Sequence, residues 1–316
     1  MNPNVLSPLS LSGIITAAID LMKTTYLRIL GVAAVVFLPA SLLSMVGFTV
    51  MYGMLGEFAN GEELPSWANL ARLLFSFVII ATAAVLSLLS SNASTVGGSR
   101  IIASEFEGTR LSVGHALSNV FHKDTLNGFL LSFVLLLALF MVMALFFVLI
   151  LIMAVGGQEN GFALVFLVFI MFALLLPSIL MMAFYSQVGM IVISWEHLGP
   201  FAALGRASHL MGGLWWRTLG VWFFMTFIAY VVQMVISIPF FITTLGPLYY
   251  KMFMMIMERG GEQLDPFDIN RLFAQFGWAI GLISYVSSVA FSALQPIYLS
   301  VIFADLRARK GSPVTA

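Results

Sequence analysis

The sequence predicts an all-α integral membrane protein: six transmembrane helices arranged as three helical hairpins, each preceded by a cytoplasmic interfacial amphipathic helix, with both termini inside the cell. Three observations predict it. The chain of 316 residues is 61% hydrophobic and 9% charged, whereas soluble domains carry about 25% charged residues, so one water-soluble core cannot hold its apolar side chains. Apolar runs exceeding the ~18 residues that mark a membrane helix recur along the whole length, without the residue-by-residue alternation of a barrel strand. Short amphipathic segments punctuate these runs at regular intervals.

Taken in order, residues 12–28 place Ile15, Ile19, Met22 and Tyr26 on one helical face and Asp20, Lys23 and Thr24 on another, the pattern of a helix lying in the membrane interface. Ser12 suits its N-cap. The first span follows over 29–55, with Pro39 expected to kink it. It is too long for a signal-peptide core and reads as a retained span. After an acidic loop, the second span covers roughly 70–94. Its end, SLLSSNAS, pairs Ser87 with Ser91 and Ser90 with Ser94, and such small residues let helix backbones approach closely.

Gly97-Gly98 then opens a polar stretch reaching Asp124, within which Val113, Leu117 and Val120 face one way and His115, Asn119 and His122 the other. The third span runs over about 126–154. The fourth, over about 162–194, contains Pro177 and ends at Trp195 and Glu196. Gly199-Pro200 makes a turn, a short amphipathic helix reaches about Met211, and Gly212-Gly213 with a Trp pair opens the fifth span at about 214–245. A loop containing YYKMFMMIM precedes the sixth span, 272–303.

The positive-inside rule sets the orientation. The side holding the N-terminus, the 95–125 and 196–217 segments and the C-terminus carries ten basic residues: Lys23, Arg28, Arg100, Arg110, Lys123, Arg206, Arg217, Arg307, Arg309 and Lys310. The other side carries four, Arg72, Lys251, Arg259 and Arg271, among the acids Glu57, Glu62, Glu63, Glu159, Glu258, Glu262, Asp265 and Asp268. Both termini are therefore expected in the cytoplasm.

The basic segments can be laid over one another from Leu11, Leu111 and Pro200, and each even-numbered span ends in an acid, Glu105, Glu196 or Asp305. The chain reads as a single polytopic domain, 1–316, of three candidate repeats, 11–105, 111–196 and 200–305.

The stretch WEHLGPFAALGRASHLMGGLWWRTLGV resembles the signature of the membrane domain attached to some bacterial glycerophosphoryl diester phosphodiesterases and of related stand-alone YciC-like proteins. The resemblance is carried by Glu196, Gly199, Pro200, Ala202, Ala203, Arg206, Gly212, Trp215 and Trp216. Where that family often has Ser directly after Arg, this chain has Ala207 and then Ser208. The resemblance implies a six-span protein of the bacterial cytoplasmic membrane. It implies no activity, because the family's chemistry belongs to a separate soluble barrel whose motifs are not found in this sequence.

Candidate functional residues fall into three groups. Glu196 and Arg206, flanking Pro200, are positioned to pair across the turn and set the angle of the amphipathic helix. Trp195, Trp215 and Trp216 sit where an aromatic belt is expected. Ser284, Ser288, Ser292, Gln295 and Tyr298 share one broad face of the sixth span. Together with Ser87–Ser94 and Tyr185, Ser186, Gln187 and Gly189, that face serves either close interhelical packing or a polar cavity between the repeats.

No Asp, Glu, Lys, Arg or His lies near the middle of a span, where ion-coupled transporters usually carry one. The chain has no cysteine, which excludes disulfides and thiolate chemistry. Its four histidines, His115, His122, His197 and His209, lack zinc-site spacing and read as polar-face residues. With no phosphate-binding glycine loop, no catalytic triad spacing and a net charge of zero, the sequence points to a noncatalytic protein without cofactor or nucleic-acid partner. Its expected partners are membrane lipids, or another membrane or membrane-associated protein. Two roles stay open: a membrane scaffold or lipid-associated partner, and a transporter or scramblase of a lipid or amphiphilic solute.

Overall fold

A computed structural model of the chain describes residues 8–59, 67–118, 122–156, 161–258 and 266–310. It is all-helical, with no strand among the described residues. The helices are α1 (Leu11–Ala59), α2 (Trp67–Phe106), α3 (Val113–Ser118), α4 (Lys123–Gly156), α5 (Gly161–Glu196), α6 (Pro200–Met211), α7 (Trp215–Glu258) and α8 (Pro266–Arg309). Six of them, α1, α2, α4, α5, α7 and α8, are long and apolar enough to cross a membrane. Such helices satisfy their own backbone polar groups in hydrocarbon, and they mark a multi-pass membrane protein. Exposed apolar side chains such as Phe140, Phe169, Phe227 and Met234 coat the outside.

Helix α8 is the axis of the bundle. Its most apolar stretch is 78% buried, against 6% in α4 and α5. The most extensive packing is α1 against α8; α1 also packs on α2, α7 on α8, and α4 on α5. The main core lies where the helices converge at one end, around Ile14, Ile29, Ile101, Phe184, Ile191, Leu210 and Phe303. We call this the joint end. Away from it α4 and α5 present mostly exposed apolar faces.

Glycine decides how closely α1 and α8 approach. A Cβ built on Gly277 would sit 2.6 Å from Thr49 Oγ1 and 2.9 Å from Thr49 Cα, and one on Gly281 would strike the Met45 side chain and lie 3.1 Å from its Cα. These two glycines form a G-x-x-x-G pair, the spacing that brings helix backbones together in a bilayer. Neither belongs to the polar face singled out from the sequence.

Four helices extend well beyond their predicted limits. The expected interfacial helix, 12–28, and the first span form one continuous helix of 49 residues, about 70 Å at 1.5 Å per residue. In its first turns the buried stripe is Ile14, Ala17, Ala18 and Thr25; Ile19 and Met22 of the predicted apolar face are exposed. Gly97-Gly98 does not end α2, which continues to Phe106. A Cβ on Gly98 would lie 2.5 Å from Pro296 Cγ and 2.9 Å from Ile29 Cγ2, so this glycine serves contact between three helices. The predicted YYKMFMMIM loop is instead the last part of α7, where Lys251 Nζ lies 5.4 Å from the centre of the Phe276 ring.

Helix α8, Pro266–Arg309, likewise outruns the 272–303 expected and takes in the end of the predicted loop, whereas the remaining boundaries agree closely. Helix α6 spans Pro200–Met211, with Pro200 in its first turn, where the missing N–H costs nothing. It is followed by Gly213 at φ +76°, a conformation that favours glycine. Asn119, Val120, Glu62, Glu63, Glu159, Arg259, Glu262 and Asp265 lie outside the described residues.

Two glycine substitutions separate packing from propensity. Gly281→Ala is expected to destabilise the protein by about 1–3 kcal/mol, because the methyl overpacks the α1–α8 contact. Gly53→Ala, with nothing within 4 Å of its Cβ, is expected to be neutral or to stabilise by up to ~1 kcal/mol. Thermal unfolding of the two variants in detergent checks the opposite signs.

Candidate functional site

The charged residues of the joint end form a series of ties between chain segments. Laid over from Leu11, Leu111 and Pro200, the three basic segments bring Arg28, Gly128 and Arg217 into register as their eighteenth residues. Arg28 pairs with Glu105, the acid that ends the second span, and donates to the Leu111 carbonyl at 3.3 Å. Arg217 pairs with Asp305, the acid that ends the sixth span, at 2.6 Å, and donates to the Leu9 carbonyl at 2.8 Å. Each arginine therefore holds the acid closing its own third of the chain and a carbonyl near the start of another third.

The middle segment has no arginine at that position, and different residues serve there. Asn127 Nδ2, beside Gly128, donates to the Leu198 carbonyl at 3.4 Å, just ahead of the segment beginning at Pro200. Asp124, in the first turn of α4, accepts from Arg100 at 2.6 Å and faces His197 Nδ1 at 2.7 Å. A carboxylate is favoured in a helix first turn. His197 closes α5 in the left-handed region, at φ 53°.

Glu196 and Arg206 lie together: Arg206 Nε donates to Glu196 Oε2 at 3.0 Å. Arg307 Nε, from α8, lies 3.9 Å from the other carboxylate oxygen, and its guanidinium rests over the Phe303 ring. Pro200 starts the helix that carries Arg206. Asp305 is held most completely. Its side chain is 2% exposed, and it accepts from Arg217, from Arg309 Nε at 3.1 Å and from the Leu9 backbone N–H at 2.7 Å.

The three tryptophans differ. Trp216 is 79% exposed and stacks edge-on with half-buried Trp215, as an interfacial anchor requires. Trp195 instead packs between Phe106 of α2 and Phe303 of α8, with ring centroids 5.6 and 5.7 Å away, so it belongs to the core. His115, His122, His197 and His209 are exposed. Among the described residues no group of three or more His, Asp and Glu is placed to hold a metal.

The polar residues of α8 do not act as one face. Ser284 is exposed and Ser288 half-buried; the hydroxyl pair across α7 and α8 is Ser237 with Ser287, 2.8 Å apart. The Ser292 carbonyl accepts from Ser94 at 3.5 Å. Tyr298 donates to Gln187 Oε1 at 3.5 Å and accepts from Thr226 at 3.2 Å.

Of these five residues, only Gln295 lines a cavity of about 270 Å³ between α2, α4, α5 and α8. The cavity's other polar residues are Ser91, Asn92, Ser132, Ser186 and Gln187. Three of them are linked: Ser132 donates to Asn92 Oδ1 at 3.0 Å and lies 3.2 Å from Ser186 Oγ. Asn92 lies within the Ser87–Ser94 stretch singled out from the sequence, as do Ser186 and Gln187 within that of the fourth span, whereas Ser132 was not among the candidates: it lies inside an aliphatic run of α4, and only the fold brings it to Asn92.

No family model matches the chain, and no curated protein or solved structure matches it.

Replacing one tie should be felt far more than replacing a surface pair. Arg28→Met strands Glu105 and the Leu111 carbonyl and is expected to cost about 1–3 kcal/mol. Lys23→Met breaks only the exposed pair with Asp20 and is expected to stay within about 0.5 kcal/mol. Denaturant titration of both variants in mixed micelles measures the difference.

Proposed function

We propose that the chain is a noncatalytic, lipid-associated scaffold of the bacterial cytoplasmic membrane, built as three hairpin units with both termini inside. One observation carries this reading: at the joint end Arg28, Arg100, Arg206, Arg217 and Arg309 each bridge an acid of the same chain. Charged groups held in this way fix helix geometry. The matching register of Arg28–Glu105 and Arg217–Asp305 supports descent of the units from one repeat. The ten-to-four excess of basic residues on that side supports its cytoplasmic placement. The resemblance to the phosphodiesterase-associated membrane domain is in keeping with this, since Glu196, Pro200 and Arg206 lie at one joint.

A second reading, passage of a lipid or amphiphile, is favoured by the polar-floored cavity beside α8. The two separate in one assay. Reconstituted into vesicles, the scaffold leaves the transbilayer movement of fluorescent phospholipid at the protein-free rate. Accelerated movement that Gln295→Leu abolishes would replace the scaffold with a conduit.

The absence of cysteine makes the topology directly testable. In intact spheroplasts, a membrane-impermeant maleimide is expected to label Glu258→Cys and to spare His209→Cys until the membrane is permeabilised. The reverse pattern would invert the proposed orientation.

A further inference from the structure

The cavity between α2, α4, α5 and α8 has three properties that together specify an occupant. Its walls are mostly aliphatic, and two of them, Leu136 at 54% and Ile179 at 37% exposure, also belong to the outer surface. It therefore opens sideways, toward hydrocarbon. Its floor offers hydrogen-bonding groups without partners. Gln295 is 4% exposed, yet its amide makes no hydrogen bond among the described residues. The Gln187 oxygen accepts from Trp222 Nε1 at 2.7 Å and from Tyr298 at 3.5 Å, while its amide N–H groups make no hydrogen bond among the described residues. An amide that faces a cavity open to hydrocarbon finds no water to bond there, so a ligand that hydrogen-bonds Gln295 is favoured over an empty or purely apolar filling.

The third property is charge. None of the lining residues is ionisable. Gln295 and Ser186 lie ten residues inside Asp305 and Glu196 along their helices, about 15 Å from the ion pairs of the joint end at 1.5 Å per residue. A phosphate at that depth would have no basic partner, and burial of an unpaired charge is heavily penalised. A hydroxyl meets no such penalty: it donates to the Gln295 oxygen and accepts from its N–H. The volume of about 270 Å³ is below the ~300–1,000 Å³ of pockets that enclose a whole small molecule. It seats one end of a lipid whose chain remains in the bilayer.

We propose that this cavity binds an uncharged, hydroxyl-bearing membrane amphiphile of the diacylglycerol or long-chain alcohol class, with its polar end on Gln295 and Gln187. The inference rests on the lipid-associated reading and adds the chemical class of the lipid.

The test uses the full chain in nanodiscs with two photoreactive probes carrying the same diazirine acyl chain, a diacylglycerol and a phosphatidylglycerol. The diacylglycerol probe is expected to label the α4 and α5 peptides containing Leu136 and Ile179, to be displaced by unlabelled diacylglycerol, and to lose about fivefold in Gln295→Leu, the effect of one hydrogen bond. Leu139→Trp, which fills the cavity without touching its floor, should lower the same labelling if Gln295→Leu fails to fold. Labelling on the exposed face of α7, at Met234, should not change in either variant.

Equal diacylglycerol labelling of wild type and both variants would overturn the proposal. So would phosphatidylglycerol labelling with the same dependence on Gln295, which would leave the lipid-associated reading intact with a charged lipid as occupant. If neither probe labels the cavity above the level at Met234, the lipid-associated reading itself fails.

Discussion

A carboxylate at the buried end of an apolar helix cannot be left alone, because desolvating an unpaired charge costs several kcal/mol. Asp305 meets this constraint with four hydrogen bonds from three donors: Arg217, the i+4 partner Arg309, whose Nε reaches both carboxylate oxygens, and the N–H of Leu9. Because one of the donors lies at the start of the described chain and another opens α7, pairing this single acid ties the last helix to the first and to the fifth span. The two arginines also share the Leu9 carbonyl, so the acid and the backbone are held as one unit.

That anchoring explains why α8 becomes the axis. In a bilayer the hydrophobic effect gives little drive for one apolar helix to pack on another; close van der Waals contact and hydrogen bonds decide the partners. With its end fixed by Asp305, α8 lays Gly277 and Gly281 on Thr49 and Met45 of α1, and receives Gly98 of α2 against Pro296. Among the described residues, α4 and α5 have no glycine that meets α8 as Gly277 and Gly281 meet α1. They are joined to the rest at the joint end, through Asp124, Asn127 and Glu196, and beyond it their described side chains are mostly exposed. The cavity lies on this side of α8, and its polar floor is supplied by residues of all four helices around it.

Much of this was legible in the sequence, and the rest failed for identifiable reasons. Six spans followed from run length and composition, and the limits of α6 followed from Gly199-Pro200 and Gly212-Gly213, where a turn and a positive φ are required. Gly97-Gly98 carries the same dipeptide but sits inside a helix, because what Gly98 answers to is contact with Ile29 and Pro296. The interfacial helix at 12–28 merged with the first span since no breaker separates them; amphipathic periodicity describes faces and says nothing of where a helix bends away. Helical spacing grouped Ser284 to Tyr298 on one side of α8, but neighbours differ along its length, so Ser284 is exposed while Gln295 faces a cavity. The signal for the ties was present: the overlay that aligned the three segments already placed Arg28 and Arg217 in one column. The acids they hold were visible too, as the ends of the even-numbered spans, but their pairing joins residues far apart in the chain.

A double-mutant cycle on Arg217 and Asp305 tests the central claim most directly, using Arg217→Met, Asp305→Asn and the double variant. If this pair fixes the joint, the two changes are strongly non-additive, with a coupling of about 1–3 kcal/mol in unfolding free energy, whereas a cycle between Arg217 and the separate tie at Glu105 adds within about 0.5 kcal/mol. Additive losses at Arg217 and Asp305 would contradict the account.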